Sequence, residues 1–189
     1  VTGVQTCALQ ICSPLRRYKE HVGPGKKVAV AGIGGLGHLG VKFAAALGAE
    51  VTAITTSAAK AEEAQRLGAH HVLVSTDKEQ MKAARSTFDF ILDTIPVGHD
   101  VQPYLGLLRR AGRMVIVGAI EPLPPIHGGL LITNNRAIGG SGVGGVPETI
   151  EMLDFCAEHQ LYPEVETIRM DEVNHAWERM EKGDVRYRF

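Results

Sequence analysis

The chain has 189 residues, 44% of them hydrophobic and 22% charged, and its 20 Lys+Arg against 21 Asp+Glu leave a formal charge of -1. At about 150 residues per domain this is one domain with a remainder, long enough to bury a core without disulfides or a structural metal. The even charge balance excludes a dedicated nucleic-acid binder, no apolar run reaches the roughly 20 residues of a membrane span, and an aromatic content of 5% is too low for a stacking platform.

Cys7, Cys12 and Cys156 are the only cysteines. An odd, sparse set is no disulfide framework and points to a reducing compartment, taken as the cytoplasm. It cannot supply a four-cysteine zinc site. The N-terminus shows no basic region followed by an apolar block, so no signal peptide is expected. Val1-Thr2-Gly3-Val4-Gln5-Thr6-Cys7-Ala8-Leu9 closely resembles the conceptual translation of a common sequencing-adapter oligonucleotide. Residues 1–12 are therefore set aside as foreign.

From Ser13 onward strand and helix signals alternate. Lys27–Ala31 is a short apolar run after the turn signal Gly23-Pro24-Gly25, hence a buried strand. Gly35 to Leu47 is rich in Ala, Leu and Val and closes on Gly48, hence a helix. Val51–Thr55 reads as the second strand, and Ser57 can cap a helix running to Leu67. Strands follow at His71–Val74, Phe88–Asp93, Arg113–Val117 and Arg136–Ser141, with helices at about Asp77–Arg85 and His99–Arg109 and a short one after a Pro-rich loop. Such alternation implies right-handed βαβ units and a parallel sheet. Six strands match the doubly wound α/β Rossmann fold, order 3-2-1-4-5-6, over residues 13–146.

Residues 147–189 read differently. A helix from Pro147 to His159 is followed by a strand at Val165–Met170, a helix at Asp171–Lys182 and an amphipathic strand at Val185–Phe189. In that last stretch Val185, Tyr187 and Phe189 share one face, and Arg186 and Arg188 the other. One strand, one helix and half a strand form no core, so this tail is expected to pack on something else.

Gly32-Ile33-Gly34-Gly35-Leu36-Gly37 fits G-x-G-x-x-G, and it follows a strand and opens a helix, the context that gives the pattern meaning. Gly32 would allow the tight turn, Gly34 the approach of a pyrophosphate and Gly37 close helix–strand packing. The free N–H groups at the helix start would receive the phosphates. A site for NAD wants an acid at the C-terminal end of the second strand. Glu50 lies at the wrong end, and the right end reads Thr55-Thr56-Ser57-Ala58-Ala59-Lys60. Three hydroxyls and an ammonium suit a 2′-phosphate, so the expected cofactor is NADP(H). Thr94, Gly118, and Ser141, Gly142 and Val143 follow the fourth, fifth and sixth strands, where they could border the nicotinamide.

The run Val28 to Lys42 resembles the cofactor motif of the zinc-dependent medium-chain alcohol dehydrogenases, and within them the cinnamyl-alcohol-dehydrogenase-type group. Ser13-Pro14-Leu15-Arg16-Arg17-Tyr18, Pro147-Glu148-Thr149 and Gly183 to Phe189 carry the same resemblance, which covers Ser13 to Phe189. It implies NADP(H)-dependent, zinc-assisted interconversion of primary alcohols and aldehydes, and a homodimer formed through the edge of the sixth strand. It also implies that Gly32–Gly37 bind pyrophosphate, that Thr55, Thr56, Ser57 and Lys60 bind the 2′-phosphate, and that no catalytic residue or zinc ligand lies in this chain. The family's last zinc-binding cysteine falls at Thr6; Cys7 is one position off and is assigned no zinc role. His38 belongs to the motif and is read as helix-surface packing. Two other readings stay open: a stand-alone NADP(H)-binding module, and a zinc-free quinone reductase of the same superfamily. Cys156 with His159, and the adjacent His70 and His71, are too few to make a metal site, and no G-x-S-x-G elbow is present.

Overall fold

Valine and alanine alternate along Lys27–Ala31, and that period of two decides the layering of the molecule. In the computed structural model, which describes residues 2–119 and 121–189 (the side chains of residues 2–7 excepted), Val28 and Val30 face one apolar layer while Ala29 and Ala31 face the other. The strands are β1 (Lys27–Ala31), β2 (Glu50–Thr55), β3 (His71–Val74), β4 (Phe88–Asp93), β5 (Leu108–Ile116) and β6 (Ala137–Gly140). All neighbours pair in parallel, in the order β3-β2-β1-β4-β5-β6. This is the doubly wound Rossmann sheet, in which the direction of strand order reverses at β1 and opens a crevice beside β4.

The helices are α1 (Thr2–Arg17), α2 (Gly37–Ala46), α3 (Ala61–Arg66), α4 (Lys78–Ala83), α5 (Gln102–Leu107), α6 (Gly129–Ile132), α7 (Val146–His159) and α8 (Val173–Glu181). Residues of α1, α2, α3 and α7 fill the layer that holds Val28, Val30, Phe90 and Leu92. Residues of α4, α5 and α6 cover the opposite face, on Ile91 and Met114. Among the described residues no helix is long and apolar enough to cross a membrane.

Several expectations change. Residues 8–12, set aside on sequence, are built into the core: Ala8, Leu9, Ile11 and Cys12 are buried, and α1 packs on α2 and α7. The spacing of Ala8, Ile11, Cys12 and Leu15 is helical and carries an apolar stripe straight through residue 12. β5 begins at Leu108, five residues earlier than expected, because its register on β4 jumps from Leu108 opposite Phe88 to Arg113 opposite Phe90. The segment after Ser57 opens as a 3-10 turn, Ala58–Lys60, before α3.

The tail strands at Val165–Met170 and Val185–Phe189 do not form. Among the described residues their backbone pairing is limited to Glu166 N–H on the Arg188 carbonyl (2.7 Å) and Tyr187 N–H on the Glu164 carbonyl (3.3 Å). The alternating pattern is present, but neither segment extends a sheet, and a strand without a ladder has nothing to hold it.

Candidate cofactor site

β1 ends at Ala31, and the chain turns at once through Gly32, whose φ of +86° is reached at low cost only by glycine. The Gly32 N–H donates to the Ile54 carbonyl (3.1 Å), which ties the turn to β2. Thr94, at the end of β4, closes it from the other side: its hydroxyl contacts the carbonyl oxygens of Ala31 (2.9 Å) and Gly32 (2.6 Å). A Cβ on Gly37 would fall onto the Gly32 carbonyl oxygen and lie 2.9 Å from Thr94 Oγ1, so helix and turn meet there without room for a side chain. A Cβ on Gly34, by contrast, would meet nothing within 4 Å. The three motif glycines thus serve three separate geometric needs.

The turn forms the wall of a cleft of about 420 Å³ at the crevice between β1 and β4, within the range of ligand sites. Gly32, Ile33, Gly34, Gly35, Leu36, Thr55, Thr56, Lys60 and Thr94 line it. Ile54, Ser75, Ile95, Pro96, Tyr104 and Arg188 also line it and were not named from sequence. Ser75 could have been found, since it follows β3 as Thr94 follows β4. Arg188 could not: its alternation placed it with Arg186 on one face of a strand that does not form. It is instead half-buried against the glycine turn, where a Cβ on Gly35 would lie 3.4 Å from its guanidinium. Among the described residues no carboxylate lines the cleft, and Lys60 and Arg188 bring two cations to it. Arg188 Nε is buried without a hydrogen-bond partner among the described residues.

The remaining expected residues lie outside the lining. Gly37 sits behind the turn. Ser57 accepts from Ala59 N–H (3.2 Å) and caps the 3-10 turn. Gly118 packs its backbone on Thr94 and Ile95, where a Cβ would come 2.5 Å from the Ile95 carbonyl oxygen. Ser141, Gly142 and Val143 lie beyond β6 at the sheet edge, their contacts there being Ser141 N–H on the Ile116 carbonyl (3.3 Å) and the Ser141 hydroxyl on Gly142 O (3.2 Å). Glu50 is at the far end of β2, opposite Lys27 and 2.9 Å from His71.

Below the cleft floor, Asp93 is fully buried, accepts from Ile95 N–H (3.1 Å) and faces His99 Nε2 at 3.1 Å. Burial raises the Asp93 carboxyl above its ordinary range. The pair anchors the start of the loop that carries Ile95 and Pro96.

Among the described residues no three His, Cys, Asp or Glu side chains converge to hold a metal ion. Cys156 Sγ contacts the Met152 sulfur at 3.6 Å, while the His159 ring packs on Phe155 at 4.2 Å. Burial pushes the Cys12 thiol up to about 11, which marks it as a packing group. The Thr6 and Cys7 side chains lie outside the described residues.

Residues 35–158 match the profile of the zinc-binding dehydrogenases. An aldehyde reductase of Escherichia coli, YahK, is 52% identical over 180 residues, covering 94% of this chain and 50% of its own length. An 8-hydroxygeraniol dehydrogenase of Catharanthus roseus is 49% identical over 178 residues, covering 94% of this chain and 49% of its own length. A solved cinnamyl alcohol dehydrogenase of Sorghum bicolor superposes with a TM-score of 0.93 at 45% identity, over 98% of this chain and 52% of that one. One from Helicobacter pylori, complexed with NADP(H), does so with a TM-score of 0.85 at 35% identity, over 98% and 52%. The chain therefore spans about half the length of the curated relatives it matches. With a doubly wound sheet, a glycine turn at its crevice and a family match over residues 35–158, the chain belongs to the zinc-binding dehydrogenase family.

Proposed function

We propose that the cleft binds NADP(H), and that the chain is the cofactor-binding portion of an alcohol dehydrogenase or aldehyde reductase. The observation that carries this reading is the charge of the lining: among the described residues, two cations, Lys60 and Arg188, and no carboxylate. An NAD site would need an acid at the end of β2 for the ribose hydroxyls. Here Thr55 and Thr56 occupy that end, with Lys60 two residues beyond Ala58. The unpartnered Arg188 Nε and the open space above Gly34 fit a pyrophosphate.

A bound nicotinamide would accept a hydride from a primary alcohol in its oxidised form, or donate one to an aldehyde in its reduced form. The chain's own residues bind and orient. Gly34 and Gly35 offer backbone to the phosphates, Lys60 and the β2 hydroxyls select the phosphorylated ribose, and Thr94 keeps the turn closed. Free Cys12 and Cys156 accord with a cytoplasmic setting, and the unpaired outer edge of β6 accords with pairing between two subunits. A crystal structure with NADP+ tests the reading. The pyrophosphate is expected within hydrogen-bond distance of the Gly34–Gly35 backbone and Arg188, with the 2′-phosphate at Lys60. Density elsewhere, or none, contradicts it.

A further inference from the structure

His38 is fully buried at the start of α2, and both ring nitrogens are engaged. Nδ1 lies 3.0 Å from the Gly34 carbonyl oxygen, and Nε2 lies 3.3 Å from the backbone nitrogen of Glu164, 126 residues away. A carbonyl only accepts and an amide N–H only donates. The ring is therefore neutral, with its proton on Nδ1. The Tyr187 ring stacks on it at 4.6 Å and 6°, and Tyr187 is the residue before Arg188.

Two consequences converge on the cleft. The Gly34–Gly35 peptide is trans, so its C=O and N–H point in opposite directions. The Gly34 carbonyl is held toward His38 by that residue's backbone N–H (3.0 Å) and by its ring together, which turns the Gly35 N–H the other way, and Gly35 lines the cleft. The same ring also fixes the segment that brings Arg188 beside Gly35. We infer that His38 is a positioning residue of the cofactor cradle, its uncharged ring locking the glycine turn to the C-terminal segment so that the Gly35 N–H and Arg188 are presented together to a phosphate. This role rests on the NADP(H) reading of the cleft.

Protonation would put a second N–H against the Glu164 amide and break the lock. The charged groups facing the ring are Lys42 on its own helix, Glu164 on the segment after α7, and Arg188 on the C-terminal segment, while Glu63 of α3 faces the stacked Tyr187. Burial, Lys42 and Arg188 oppose the charged ring, and Glu164 favours it.

The test is NADPH titration of the full chain at pH 7.5 and 5.5, with wild type, His38→Gln and His38→Ala, alongside nitrogen NMR of the His38 ring. Glutamine can accept from Glu164 N–H without titrating. The expected result is an Nδ1-protonated ring in wild type and affinity in His38→Gln within a few-fold of it at pH 7.5. His38→Ala loses about tenfold, the value of one hydrogen bond with a buried partner left unmet. Wild type weakens more than His38→Gln on going to pH 5.5, since the cofactor's own phosphate titrates equally in both. An Nε2-protonated ring, or the same affinity and pH profile in all three proteins, overturns this role alone. Wild type that binds no NADPH at pH 7.5 overturns the cofactor reading and this role with it. The ring's tautomer and the wild-type profile need no variant to fold.

Discussion

The side chain of His38 and the backbone N–H of Glu164 meet at 3.3 Å, joining the first helix after the glycine turn to the irregular segment after α7. Lys42, one turn further along α2, donates to the Tyr162 carbonyl (2.8 Å) and pairs with Glu164. One short stretch of α2 thus holds a tail that has almost no ladder of its own.

Stability is expected to fall in mild acid. The folded pKa of His38 lies below its ordinary 6.5 because burial disfavours the charged ring, and His21 is shifted the same way. Below pH 6.5 the unfolded chain takes up protons that the folded chain does not. The contribution of these two histidines is therefore complete above 6.5 and declines as pH drops toward their folded values, by at most about 1.4 kcal/mol per pH unit for each group, while the raised Asp93 carboxyl acts in the opposite direction. Urea unfolding at pH 7.5 and 5.5 checks this, and an unchanged midpoint contradicts it.

Gly37→Ala and Gly34→Ala separate packing from binding. The first puts a methyl onto the Gly32 carbonyl and is expected to cost about 1–3 kcal/mol or more. The second meets open space, so its melting temperature stays near wild type while NADPH binding falls at least about tenfold. A Gly34→Ala protein that binds normally would remove the pyrophosphate from this position.

At the opposite end of the sheet, buried Asp89 accepts the Lys27 N–H (2.9 Å) and pairs with Arg109 (2.5 Å). Asp89→Ala leaves that N–H without its partner and is expected to destabilise by about 1–3 kcal/mol without changing cofactor affinity. Denaturant unfolding combined with a cofactor titration distinguishes this from a role in binding.

The tail exposes Tyr162, Val165, Met170 and Trp177, the last 61% accessible. A surface this apolar invites association. Light scattering is expected to show concentration-dependent growth, with the emission of the single tryptophan shifting to the blue. A monomer with unchanged emission at high concentration contradicts this.

What was legible in the residues is what local chemistry dictates. β1, β3 and β4 fall where their apolar runs begin and end, and the strand order follows from their alternation with helices. The glycine turn was readable because a tight φ, a close packing contact and an open approach each demand glycine at a fixed spacing. Long-range pairing was not readable. Val165–Met170 has strand composition but no ladder to join, and the bulge that lengthens β5 depends on β4. Arg188 enters the cleft through contacts to residues some 150 positions earlier. Residues 8–12 carried a clear helical stripe that the likeness of their segment to a translated adapter concealed.

The most direct test is calorimetric titration of wild type and Lys60→Ala with NADPH and with NADH. Wild type is expected to prefer NADPH, and removing the ammonium to weaken NADPH by about tenfold to a hundredfold, as for a hydrogen bond to a charged group, while leaving NADH unchanged. Equal losses for both cofactors, or a wild type that prefers NADH, would contradict it.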